Sequence, residues 1–309
     1  MRRCRCRRRS AGDRRPAVHR HLVGAGRTAP RLAGGGAARA GGGLRPPARR
    51  AQHPRPAGGT VTGPPDSADP VDPIELVDLV DLWVIPTDQP DAVVEALGAL
   101  LDPGERARAA GPDEATGRRF TVVHGVVRLL VAERLGVHPA ELAWRRGPHG
   151  KPEPAGEGHT LGVSYSASGA LAVLALADGR PVGADVEEVR DPRVAARIAN
   201  RYFPGAEAAS LAESSSPEVL AERFTELWCR REACVKAFGG RLVQGFGLPL
   251  AGPAPLVLTG AGALGDGPCR IADAPVPGPF RAAVAAVGDR PFRLRLQCWE
   301  APSFIMSRT

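Results

Sequence analysis

The sequence predicts an α+β fold: two similar α+β halves in one chain, a pseudo-dimer with the active site in the cleft between them. Three observations lead there. The candidate elements run strand, helices, strands, and roughly that order returns after Gly179-Arg180-Pro181. Val182-Gly183-Ala184-Asp185-Val186-Glu187 reads as a strand, so Asp185 and Glu187 share a face. Trp228-Cys229-Arg230-Arg231-Glu232-Ala233-Cys234-Val235-Lys236 reads as a helix, with Trp228, Glu232 and Lys236 on one stripe. If strand and helix meet, three carboxylates and one ammonium share a pocket. Carboxylates held close together raise one another's cost of ionisation. A hard divalent cation relieves that conflict, and oxygen-only ligands with room for phosphates point to Mg2+.

Ordered structure is expected from near Ile74. Leu79–Ile85 alternates as a strand. A short helix follows from Pro90 to Leu101, with proline at its start. Residues 103–136 are expected to be mostly helical. Phe120, Val123, Val127, Leu130 and Val131 form the apolar stripe, and Gly136 stands where a terminating glycine belongs. Leu142–Arg146 is a candidate strand before the turn Gly147-Pro148-His149-Gly150-Lys151-Pro152. Leu161–Ser166 and Ala170–Ala177 form a strand pair with Ala167-Ser168-Gly169 as the hairpin. Helices follow at Arg193–Arg201 and Pro217–Phe238, the second capped from a serine run. Short strands close the chain, the clearest being Phe292–Trp299. No residue-level repeat is visible.

Charge is unevenly placed. The first sixty residues hold sixteen arginines and one acid, Asp13, which gives them +15; the other 249 residues carry −7. The body is therefore acidic, and a nucleic-acid role loses its main support. Residues 1–70, rich in Arg, Gly, Ala and Pro, lack the apolar side chains needed to offset ordering entropy and are expected to be disordered. Val61 is a candidate alternative start. Six cysteines show no zinc spacing or disulfide framework. No run of about eighteen apolar residues suggests a membrane span, and the basic N-terminus lacks a signal-peptide core. A reducing cytoplasm is the expected compartment.

The motifs, taken in order, resemble the 4′-phosphopantetheinyl transferases of the larger, surfactin-synthetase-activating (Sfp) type. The resemblance spans about residues 79–245. It rests on Arg118-Arg119-Phe120 with Arg128, the Gly150-Lys151-Pro152 turn, Leu161-Gly162-Val163-Ser164-Tyr165-Ser166, the Asp185/Glu187 strand, and Phe224-x3-Trp228-x2-Arg231-Glu232-Ala233-x2-Lys236. Membership implies Mg-dependent transfer of phosphopantetheine from coenzyme A to a serine of an apo acyl or peptidyl carrier protein. It implies that Arg119, Lys151, Ser164 and Tyr165 contact coenzyme A, and that Asp185, Glu187 and Glu232 hold Mg2+. Glu232 would act as general base, and Lys236 would keep it ionised and stabilise the transferring phosphoryl group. Residues 71–179 would then bind coenzyme A, and 180–309 would carry the metal and the chemistry. A monomer without membrane or nucleic-acid partners is expected.

Four departures stand out. Tyr165 replaces the family's His and brings no positive charge. Leu161-Gly162 replaces Phe-Asn, Arg231 replaces Lys and Cys229 replaces Thr. The alternative reading is a catalytically weakened relative that binds a carrier protein or nucleotide. Arg128 is expected to cap or pair within its helix. His124, His138, His149 and His159 are expected at the surface or in turns.

Overall fold

The computed structural model describes residues 77–302 except 112, 157 and 159. The expected arginine-rich tail, the Val61 start and the onset near Ile74 lie outside the described residues.

Strand β1 (Asp78–Pro86) is followed by α1 (Asp91–Gly98), α2 (Pro103–Ala109) and α3 (Glu114–Leu135). Short strands β2 (Trp144–Arg146) and β3 (Pro152–Pro154) flank the Gly147–Lys151 turn. Next come β4 (Leu161–Ser168), β5 (Leu171–Asp178) and β6 (Val182–Glu188). The later elements are α4 (Pro192–Tyr202), α5 (Gly205–Ala212), α6 (Pro217–Phe238), α7 (Leu242–Gly245), β7 (Leu256–Leu258), β8 (Cys269–Ala274), β9 (Phe280–Val287) and β10 (Phe292–Cys298).

Local chemistry accounts for most boundaries. The mostly helical stretch expected over 103–136 consists of two helices. Asp102 starts α2 with a capping box closed by Glu105, and Asp113 starts α3 by accepting from Thr116 N–H. Gly136 ends α3 and Gly239 ends α6, both left-handed at φ 67° and 64°. Ser216 caps α6. The β4–β5 hairpin is tighter than expected: Ser168 pairs with Leu171 inside the ladder, leaving Gly169-Ala170 as the turn.

Two four-stranded sheets result, ordered β10-β1-β5-β4 and β6-β9-β8-β7. Residues alternate between two cores, as the pleat requires. Val80, Leu82, Val173 and Ala175 face Val182, Ala184, Val186 and Val284 of the other sheet. On the outer face of the first sheet, Ile85, Leu174 and Leu176 pack with Val123, Val127 and Val131 of α3. Ala283, Ala285 and Ile271 pack with Phe224, Ala233 and Ala237 of α6. The layers therefore run helix, sheet, sheet, helix. Strand β10, the last in the chain, returns to pair in parallel with β1, Asp78 against Phe292 through Val84 against Cys298.

Edge strands β4 and β6 lie side by side without a backbone ladder, joined by side chains instead. Ala184 N–H donates to Ser164 Oγ (2.9 Å) and Glu188 N–H to Ser168 Oγ (3.1 Å). Gly162 allows this close approach, and Gly183 allows that of α6 onto β6. A Cβ on Gly162 would meet Arg180 O at 2.0 Å, and one on Gly183 would meet Ala233 O at 1.9 Å. The Leu161-Gly162 departure thus lets the Arg180 backbone pass tightly over β4.

Candidate active site

Strand β6 places Asp185 and Glu187 on the face that meets α6, because Val182, Ala184 and Val186 take the face toward the first sheet. Gly183, on the same face as the acids, lets α6 come down onto β6. Helix α6 then brings Lys236 Nζ to 2.6 Å from Asp185 Oδ1 and 2.9 Å from Ser166 Oγ. Ser166 Oγ in turn donates to Asp185 Oδ1 (2.7 Å), and Ser168 Oγ to Glu187 Oε2 (3.0 Å). Arg190 holds the other Glu187 oxygen at 3.0 Å and lies over the Trp228 ring.

Electrostatics tie these groups together. Burial pushes the Glu232 carboxyl up to about 7; Asp185 and Glu187 reinforce the rise and Lys236 opposes it. Glu187 is raised by burial and by Asp185. Burial alone would lower Lys236, but Asp185, Glu232 and Glu187 outweigh it and the ammonium is held above its usual value. Asp185 is 2 % exposed, and its Oδ2 is buried with no hydrogen-bond partner among the described residues. The Cys229 thiol lies beside it, but donates its one proton to Arg281 O (3.1 Å).

Among the described residues no three His, Cys, Asp or Glu side chains are grouped to hold a metal ion. Two of the three acids are turned to cations of the chain itself, Asp185 to Lys236 and Glu187 to Arg190. The donor set nonetheless fits a hard divalent cation. All three side chains offer oxygen, Asp185 helps raise both Glu187 and Glu232, and Asp185 Oδ2 is an orphan among the described residues that a cation would satisfy.

The other expected coenzyme A contacts are dispersed. Ser164 is 5 % exposed and committed to the β4–β6 junction rather than open to a ligand. Lys151 Nζ donates to Val182 O (2.9 Å) and Ala237 O (3.3 Å), tying the Gly147–Lys151 turn to the ends of β6 and α6. Burial lowers it to about 8, with Glu153 opposing. Lys151 also lines a cavity of about 360 Å³ with His149, Glu153, Phe238, Gly240 and Gln244. None of the three carboxylates lines it. Arg119 is half-buried on α3 without a side-chain partner among the described residues, whereas its neighbour Arg118 is spent on Asp91 and Gln89 O.

Tyr165 is half-buried, its phenol pushed up by burial and by Glu105 against the opposing charges of Arg108, Arg146 and Lys236. His124 packs edge-on to it (5.4 Å) and stacks on Phe120 (3.8 Å), with Nδ1 3.4 Å from Glu105. His124 is therefore packed inside the molecule, not on the surface as expected. His138 accepts from Ala140 N–H and His149 sits in its turn; His159 lies outside the described residues. Arg128 pairs outside its own helix, with Glu105 and Asp102 of α2. Arg231 is fully buried, bonded to Glu207 and to the Gly245, Leu227 and Leu248 carbonyls, so it is framework rather than an active-site cation. Sequence reasoning missed Ser166, Ser168 and Arg190. The signal was present for the serines, which repeat at period two with Ser164.

A model of the 4′-phosphopantetheinyl transferase superfamily matches residues 181–255, the stretch holding Asp185, Glu187, Glu232 and Lys236. The chain is 33 % identical over 170 residues to the 4′-phosphopantetheinyl transferase HetI of Nostoc sp., covering 53 % of this chain and 70 % of that protein. The chain belongs to the 4′-phosphopantetheinyl transferase superfamily. AcpT of Escherichia coli K12, another 4′-phosphopantetheinyl transferase, is 39 % identical over 148 residues, 47 % of this chain and 69 % of AcpT. AcpT of Salmonella typhimurium is 34 % identical over 117 residues, 38 % and 58 %. The chain is thus a transferase of this superfamily. No helix among the described residues is long and apolar enough to cross a membrane.

Proposed function

We propose that this chain transfers the 4′-phosphopantetheine moiety of coenzyme A to a serine hydroxyl of an apo acyl or peptidyl carrier protein, with Mg2+, releasing adenosine 3′,5′-bisphosphate. One observation carries the reading: α6 sets Lys236 on Asp185 beside Glu232 and Glu187, at the junction of the two sheets. That is where a pyrophosphate, a cation and an incoming hydroxyl can be brought together.

Asp185, Glu187 and Glu232 would hold Mg2+, which when bound supplies positive charge against the pyrophosphate. Glu232 accepts the proton of the carrier serine, directly or through a water. The serine oxygen bonds to the phosphorus bearing the pantetheine, and the bond from that phosphorus to the bridging oxygen breaks. Lys236 faces the charge that develops there, positioned by Ser166. Arg119, without a side-chain partner among the described residues, is the best-placed α3 cation for a coenzyme A phosphate. Tyr165 remains neutral and offers a hydrogen bond only. The cavity bordered by Lys151 and the end of α6 is large enough for a nucleoside. The same helix–sheet order on either side of β6 supports two similar halves that enclose the site within one monomer.

The test is to incubate the purified chain with coenzyme A, Mg2+ and several apo carrier domains, then weigh the carriers. A phosphopantetheine adduct is expected. No adduct on any carrier would favour a weakened relative that only binds carrier or nucleotide.

A further inference from the structure

Both oxygens of Glu187 are taken by the chain itself. Ser168 Oγ donates to Oε2 and Arg190 donates to Oε1, each at 3.0 Å. The two partners differ in how firmly they are held. Ser168 Oγ also accepts from Glu188 N–H (3.1 Å), so its one proton is committed to the carboxylate. Arg190 is held loosely. Its side chain is 32 % exposed, and its Nε is buried with no acceptor among the described residues. The guanidinium lies over the Trp228 ring (5.6 Å), which is stacked in turn on Phe224 (5.8 Å) and Phe203 (6.5 Å). Trp228 Nε1 is likewise buried without an acceptor among the described residues. Buried donors left unpaired are costly, and two of them beside a group of acids call for an anionic oxygen. The backbone is pinned on both sides of Arg190: Val189 N–H donates to Pro279 O (2.7 Å), and Asp191 caps α4. Arg190 is therefore free to move as a side chain while its Cα stays in place.

We infer that Arg190 and a divalent cation take Glu187 Oε1 in turn, and that Arg190, once off Glu187, turns its free N–H groups to the coenzyme A diphosphate. Arg190 is then a further substrate-binding residue of the transferase. The inference rests on the transferase reading above and deepens it. Charge drives the exchange. With the three carboxylates ionised, Lys236 and Arg190 leave the group at net −1, and a divalent cation brings it to +1. Attraction between Arg190 and the group then becomes repulsion, since the cation and the guanidinium would share one oxygen. The diphosphate offers the negative charge that draws the guanidinium away, and a planar fork matches two phosphate oxygens better than a point charge does. Ser168 stays on Oε2, so Glu187 keeps its orientation through the exchange. The Trp228 face remains beneath the guanidinium as a platform.

Metal binding and coenzyme A binding are measured apart from transfer. Mn2+ uptake by the full chain without coenzyme A is followed by electron paramagnetic resonance in the parent, R190M and R190K. Coenzyme A binding in the presence of Mg2+ is followed by calorimetry. R190M should bind Mn2+ about three- to tenfold more tightly than the parent, because Oε1 has lost its competing cation, and coenzyme A about tenfold more weakly. R190K keeps the charge and loses the fork, so its Mn2+ affinity should return to near the parent's while coenzyme A recovers only in part. A role confined to packing would move both affinities the same way or move neither. Mn2+ bound no more tightly by R190M than by the parent would overturn the inference. So would coenzyme A bound equally well by both, or a parent chain that takes up no Mn2+. Opposite shifts in R190M, with no adduct on any carrier, would leave the role of Arg190 standing and overturn the transfer reading instead.

Discussion

Helices α3 and α6 are near copies as scaffolds and opposites as chemistry. Each has 22 residues and ends on a left-handed glycine. Each carries at its fifteenth residue a buried arginine, Arg128 or Arg231, 1 % and 0 % exposed. Each arginine pairs with the third residue of a short preceding helix, Glu105 in α2 or Glu207 in α5, and caps carbonyls of the loop that follows. The sheets repeat as well: β1-β5-β4 corresponds in order and direction to β6-β9-β8. The difference lies one residue and five residues past the arginine. On α3 these positions are Leu129 and Glu133; on α6 they are Glu232 and Lys236. A shared frame fixes where the next side chains point, and substitution on that frame decides whether they react.

The largest expected effect tests that asymmetry. Glu232→Gln and Lys236→Met should each lower transfer by about 10²–10⁴-fold, with unchanged circular dichroism. Glu133→Gln, at the α3 position matching Lys236, should leave the rate within about twofold. If Glu232→Gln turns over normally, the base is assigned to the wrong group. Equally, omitting divalent cation should abolish transfer by the parent chain.

Next in size is the frame itself. Arg128→Met and Arg231→Met should each cost about 3–5 kcal/mol in urea denaturation, because each leaves a buried glutamate without its arginine charge partner. A loss in one helix only would break the equivalence of the two scaffolds.

A pH effect belongs to the α2–α3 contact. Burial alone would raise Glu105, yet bonds from His124 and Arg128 bring it down to about 2 from the usual 4.5. A depressed carboxyl stabilises the fold fully above about pH 4.5 and loses that contribution as pH falls toward 2. The loss should reach about 3 kcal/mol. Glu105→Gln should flatten the stability profile across that window.

Smallest is the close contact at β6. Gly183→Ala should cost about 1–3 kcal/mol by forcing β6 off α6. It should also slow transfer by displacing Asp185, whereas Ala at exposed Gly205, where added bulk meets nothing, should do neither.

How far the residues spoke for themselves differs from feature to feature. Asp185 and Glu187 on one strand face, and Glu232 with Lys236 on one helix stripe, were legible because both follow from backbone period alone. The serine cap of α6 and the terminator Gly136 were legible because their causes lie within four residues. The paired arginines escaped, because a repeat made of one Glu and one Arg in each half is invisible until the helices are superposed.

What the order of amino acids determined unaided was therefore local: which segments are strand or helix, and which side chains share a face. The tertiary structure alone decided that β10 returns to β1, that Ser164 joins two sheets while Ser166 reaches the site, and that Lys151 ties a turn to β6 and α6. Those outcomes depend on pairings as far apart as Arg295 with Asp81, 214 residues, and Gln297 with Asp81, 216 residues. Hydrogen bonds and close packing select such partners only once the chain has brought them together.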